Sequence, residues 1–117
     1  MKKILTELNR EVGVRGGLVL TNDGIVVTSD LGVGLQEDLV AAIASSMIQS
    51  VRRSLGRIGQ TGFTRFILNA TYGKLVFVDL RVAYLVVVLD KRINLDLTLI
   101  SIDGAAYRIR NMTQFRD

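Results

Sequence analysis

Two stretches, LVFVDL from Leu75 to Leu80 and AYLVVVLD from Ala83 to Asp90, constrain this chain more than any other feature. Their β-branched and aromatic residues favour strands, and the short Arg81-Val82 link makes them a strand pair. A strand with one face in water alternates apolar and polar side chains, and these runs hardly alternate. Both faces of their sheet are therefore expected to be covered, with helices as the cover.

The segment Leu35–Ile58, LQEDLVAAIASSMIQSVRRSLGRI, supplies one such helix. Leu35, Leu39, Ile43, Met47, Val51, Leu55 and Ile58 recur at steps of four and three, so they share one helical stripe that wants a core. At 1.5 Å per residue the segment is roughly 36 Å long, enough to cross a small sheet. Glu37 and Asp38 in its first turn and Arg52, Arg53 and Arg57 near its end complement the helix macrodipole. A second face, with Ala41, Ala42, Ser45, Ser46, Gln49 and Ser50, is small or neutral and lets another backbone come close. Leu39, Ile43, Met47, Val51 and Leu55 are expected on the sheet, with Ala42, Ser46, Gln49 and Arg53 facing a partner.

The remaining elements follow from periodicity and punctuation. Ile4, Leu5, Leu8 and Val12 make Lys2–Val12 a short amphipathic helix, ended by Gly13, Gly16 and Gly17. GLVL and IVVTSD flank an Asp23-Gly24 turn and read as a hairpin. FTRFILNA, Phe63–Ala70, has the composition of a strand. From Ile93 to Met112 two patterns compete. Leu95, Leu97 and Leu99 alternate as in a strand, whereas Leu99, Ile102, Ala106, Ile109 and Thr113 follow a helical stripe. Asn94 suits an N-cap, and Gly104 weakens a helix by about 1 kcal/mol relative to alanine. The residues alone leave both open.

With 117 residues, about half of them apolar and no proline, the chain reads as one globular domain over 1–117. The absence of cysteine excludes disulfides and thiolate chemistry, and the absence of histidine removes the commonest general base and metal ligand. No apolar run has the length of a membrane span and the N-terminus lacks a signal-peptide core, so a cytoplasmic location is expected. The net charge of +4 is the excess of fifteen scattered basic residues over eleven acidic ones. A solvated basic surface explains that pattern better than a nucleic-acid groove, which concentrates charge in a stripe. Gly32-Val33-Gly34 precedes a helix, but Glu37 stands where a dinucleotide fingerprint needs its third glycine, and Glu37 and Asp38 repel phosphate. Gly73-Lys74 lacks the following Ser or Thr of a phosphate loop. Asp79, Asp90, Asp96 and Asp103 each have turn, cap or strand-end roles. Tyr72, Tyr84 and Tyr107 lack the basic interleaving of a base-stacking platform. No catalytic, cofactor or metal site is expected.

The order of elements, together with LNREVGVRGGLVLTNDGIVVTSDL, YGKLVFVDL, YLVVVLD and Asn94 with its following leucines, resembles the roadblock family of dynein light chains and bacterial Mgl-type GTPase partners. The resemblance spans nearly the whole chain and places a helix at the C-terminal end. It implies an α+β fold of order α-β-β-α-β-β-β-α. A five-stranded antiparallel sheet carries the long helix on one face and two terminal helices on the other. It also implies a non-enzymatic dimer that serves small Ras-like GTPases or other roadblock chains. Mgl-type relatives promote GTP hydrolysis by repositioning the GTPase's own residues. A nucleotide-independent assembly module is the alternative, and a nucleic-acid-binding protein a weaker one.

The dimer also has a residue-level argument. The Phe63–Ala70 strand begins the meander and has one neighbour, and its open edge is a template that Phe63, Phe66, Ile67 and Leu68 guard poorly. Pairing it with its copy about a two-fold axis satisfies that edge and brings two long helices together. The expected interface comprises Phe63, Arg65, Ile67 and Asn69 on the strand with Ala42, Ser46 and Gln49 on the helix. Ser45, Arg52 and Arg53 are the expected GTPase contacts.

Overall fold

The computed structural model describes residues 1–112 of the chain, and Thr113, the end of the expected terminal stripe, lies outside the described residues. Among them the order is α1 (Lys2–Leu8), β1 (Val14–Thr21), β2 (Val26–Leu31), α2 (Glu37–Gly56), β3 (Arg65–Ala70), β4 (Gly73–Asp79), β5 (Ala83–Asp90) and α3 (Leu95–Arg110). The strands form one antiparallel sheet in the order β2-β1-β5-β4-β3. The fold is α+β, as the family resemblance implied.

The near-continuous apolar runs become β4 and β5, with β5 at the centre of the sheet between β1 and β4. Because both faces are covered, successive residues of one strand enter different cores. Val76, Val78, Leu85, Val87 and Leu89 join Leu5, Leu8, Ile102 and Ile109 of α1 and α3. Phe77, Tyr84 and Val86 join Leu18, Leu20 and the Ala41, Ala44 and Ile48 side of α2. Each fully buried aliphatic or aromatic side chain contributes about 1.5–3 kcal/mol, so the two layers bind the sheet from both sides. Between β4 and β5 the turn is tight. Leu80 N–H donates to the Ala83 carbonyl, and Arg81, at φ 78°, is held by its N–H donating to the Asp79 carboxylate at 2.8 Å.

The C-terminal end is a helix, and the strand-like alternation of Leu95, Leu97 and Leu99 has no structural counterpart. Asn94 is its N-cap and accepts from Leu97 N–H at 3.3 Å. Thr98, Ile102, Ala105, Ala106 and Ile109 form the buried side. α1 is shorter than expected, and Val12 is 93% exposed. The chain must turn into β1 there. Gly13 does so at φ 88° against the Ile93 side chain, where a Cβ would come within 2.7 Å.

The principal correction concerns α2. Leu39 and Ile43, expected against the sheet, are 56% and 47% exposed, and Ile58 lies beyond the helix and is exposed. Ala41, Ala44 and Ile48 are buried instead, while Met47 packs half-buried against the same core, as expected, and Val51 and Leu55 are partly covered. Two apolar stripes with equally good helical spacing exist on this helix, and bulk is not what selects between them. The β1-β2 turn lies so close to α2 that a Cβ on Gly24 would stand 2.6 Å from Ser45 Oγ. Gly24 adopts φ 86°, a conformation glycine takes without penalty. The small Ser45 side chain admits that approach, and on the same side Ala41 and Ala44 are buried in the core.

Candidate partner-binding surface

α2 lies over β1 and β2. The β3-β4 half of the same face is left partly covered: Phe63, Phe66, Leu68 and Leu75 are half-buried and pack at the margin of the core. Aromatic contacts organise this margin. Phe66 stacks on Phe77 with ring centroids 4.2 Å apart, Phe63 stacks on Tyr84 at 5.5 Å, and Phe63 meets Phe66 edge-on at 4.8 Å. Between the margin and α2 runs a cleft of about 120 Å³ lined by Leu35, Val40, Ile43, Ala44, Leu75 and Val88, all apolar. Leu39, one turn before Ile43 on α2, is exposed as well. Leu39, Ile43, Phe66, Leu68 and Leu75 were not among the sequence-predicted site residues. The signal for Leu39 and Ile43 was the second use of the bulky stripe on α2, and for Phe66 and Leu68 the apolar content of the edge strand.

The sheet has two edges, and they differ. At β2, Asn9 donates to the Asp30 carbonyl at 2.7 Å and Thr6 donates to the Asp30 carboxylate at 2.8 Å, so α1 guards that edge. At β3, no strand among the described residues pairs with the outer edge.

The expected strand residues fall on different sides. Phe63 precedes β3 and belongs to the α2 side. Arg65, Ile67 and Asn69 do not join it: the Arg65 guanidinium bonds both Asp103 oxygens of α3 at 2.9 Å, and Ile67 packs against the α1-α3 core. Asn69 shares their face by alternation and accepts from Lys74 Nζ at 2.8 Å. Only the backbone of these three remains at the open edge.

On α2, Ala42 and Ser46 are exposed beside Leu39 and Ile43. Gln49 is engaged within the chain, donating to the Asn22 carbonyl at 3.2 Å. Ser45 is half-buried under the hairpin turn. Arg52 and Arg53 are exposed, and neither makes an ion pair among the described residues. The structure thus joins Ser45 and Gln49 to the β1-β2 turn and leaves Arg52 and Arg53 as free cations one to two turns further along.

Among the described residues no set of acidic side chains could hold a metal ion, and no helix is long and apolar enough to cross a membrane.

An α-β-β-α-β-β-β-α sheet, closed by two helices on one face and half-closed by one long helix on the other, defines a roadblock-type platform. The chain belongs to the Roadblock/LC7 domain family, whose model matches residues 1–89. It is 36% identical over 110 residues to an uncharacterized protein of Methanocaldococcus jannaschii, covering 94% of this chain and 93% of that one. Its fold is that of MglB from Myxococcus xanthus, with a TM-score of 0.83 at 17% identity over 95% of this chain and 87% of that one. The Roadblock/LC7 domain from Streptomyces avermitilis matches with a TM-score of 0.82 at 16% identity, covering 94% of each chain.

Proposed function

We propose that this chain is a non-enzymatic, cytoplasmic homodimer that regulates or scaffolds a small Ras-like GTPase. The observation that carries the reading is the half-covered apolar face next to the unpaired edge of β3. Pairing β3 with its copy continues the sheet. It sets the two α2 helices side by side across Leu39, Ala42, Ile43 and Ser46, and the partner's helix covers Phe66, Leu68 and Leu75. Membership of the Roadblock/LC7 family, generally an adaptor or regulator fold, supports a GTPase-regulator or assembly role.

In this arrangement the strand contributes through its backbone at Arg65, Ile67 and Asn69 and through the Phe63 ring. Ser45 and Gln49 fix the β1-β2 turn against α2, and Ser45 with Arg52 and Arg53 meets the GTPase. The arginines approach acidic or phosphate-rich groups of the nucleotide-bound partner and bias its own catalytic residues. Binding of the purified chain to candidate GTPases loaded with GDP or with a non-hydrolysable GTP analogue tests this. State-dependent binding that Arg53→Glu abolishes, with the dimer intact, is the expected result. Equal binding to both states, unaffected by Arg53→Glu, assigns the chain to nucleotide-independent assembly instead.

A further inference from the structure

The outer face of α3 carries a second apolar surface, on the far side of the molecule from α2. Leu97, Ile100 and Tyr107 are 62%, 69% and 64% exposed, and with Gly104 they recur at steps of three, four and three, a single helical stripe. Three bulky apolar side chains in one exposed row exceed the scattered exposure normal for a surface. Gly104 sits in the middle of that row, and a Cβ there would meet nothing within 4 Å. Neither its backbone angle nor any tight contact inside the chain requires glycine at this position.

The stripe is self-complementary. Placing a second α3 antiparallel to the first, face to face about a two-fold axis at the level of Ile102, brings residues whose numbers sum to the same value to one height. Leu97 then lies level with the partner's Tyr107, and Ile100 with the partner's Gly104. A branched aliphatic group meets the one position without a side chain, in both directions at once, as an isologous contact demands. The ends agree as well. Arg108 is engaged by Glu7 and Arg110 by the Asp79 carbonyl within the chain, so what the antiparallel mate adds at the ends is the opposition of the two helix dipoles, with its basic last turn near the acidic Asp96 turn.

We infer that the Leu97-Ile100-Gly104-Tyr107 face of α3 is a self-association surface whose occupant is the α3 of a second copy. This contact is separate from the β3-α2 pairing and does not depend on it. A chain using both has two isologous interfaces on opposite faces and assembles into tetramers or longer arrays.

The natural chain has no cysteine, so its register can be read by cross-linking. Ile100→Cys and Gly104→Cys proteins are oxidised separately and as a mixture. The proposal requires cross-linked chains to be enriched in the mixture over either protein alone, and over a mixture of Ile100→Cys with Leu97→Cys, which lie on the same face at unmatched heights. Cross-linking that is equal in all mixtures overturns it. Gly104→Arg provides the second measurement, because its Cβ enters open space and arginine favours helix over glycine. Sedimentation is expected to show the mass of the largest species reduced to half or less, with circular dichroism unchanged. If β3 also pairs, the fall is from tetramer or array to dimer; if β3 does not pair, it is from dimer to monomer. A mass unaffected by Gly104→Arg at every protein concentration overturns the inference in either case.

Discussion

The two faces of the sheet are built from the same alternating strands and are finished differently. On one, α1 and α3 together close over Val19, Val76, Val78, Leu85, Val87 and Leu89, and all six are buried. On the other, α2 alone covers Leu18, Leu20 and Val86 and stops short of Phe66, Leu68 and Leu75. A closed face carries the stability of the single chain. A half-closed face retains apolar area that only another molecule can remove from water, and here it borders the edge strand that lacks a neighbour. The contrast separates residues that hold the fold from residues available for recognition, although both sets are apolar.

The largest test of the contrast is on the closed face. Ile102 is 0% exposed at the centre of the α3 contact. Ile102→Ala should destabilise the chain by about 2–5 kcal/mol, from lost burial and the cavity left behind. Denaturant unfolding monitored at several protein concentrations measures it, and a loss below about 1 kcal/mol would mean that α3 is not a closing layer. Phe66→Ala on the half-closed face should lose less, about 1–2 kcal/mol, because the ring is only half-buried and its main contact is the Phe77 stack. Equal losses at Ile102 and Phe66 would erase the distinction between the faces.

These differences also mark how far the sequence could be read. The double cover of β4 and β5 is legible because it is local: a strand buried on both sides cannot alternate. The long helix is legible from its length and its glycine boundaries. Its rotation is not, because the row through Leu39 and Ile43 and the row Ala41-Ala44-Ile48 have equally good spacing, and the choice depends on how closely the Gly24 turn approaches. That contact joins residues far apart in the chain, as does the Gln49 bond to the Asn22 carbonyl. The sides of β3 were legible as two alternating sets, but not which set faces which layer. Arg65, Ile67 and Asn69 share a parity, and once Asp103 of α3 holds Arg65 the whole set faces the terminal helices. Phe66 and Leu68 must then face α2.

Arg65→Ala addresses that division with a smaller effect. Arg65 Nη1 donates to both Asp103 carboxylate oxygens, but both side chains are more than a third exposed, so solvent and salt screen the pair. The expected loss is about 0–1 kcal/mol, decreasing as salt is added. A loss that is larger and independent of salt would show that Arg65 does more than tie the edge strand to α3.

The smallest effect on folding should come from Ile43→Ser, and it divides the faces most sharply. Ile43 is 47% exposed and lines the apolar cleft with Leu75 and Val88. Isoleucine and serine have similar helix propensities, so the change leaves α2 intact and single-chain stability within about 0.5 kcal/mol. Self-association through α2 and β3 should nevertheless weaken, because a hydroxyl replaces an apolar group at the centre of the area the partner covers. In a chain stabilised by such association the unfolding midpoint rises with protein concentration, and in Ile43→Ser that dependence should flatten. If the wild-type dependence survives unchanged, the half-closed face is not where the two copies meet. The apolar area beside β3 then belongs to a different partner.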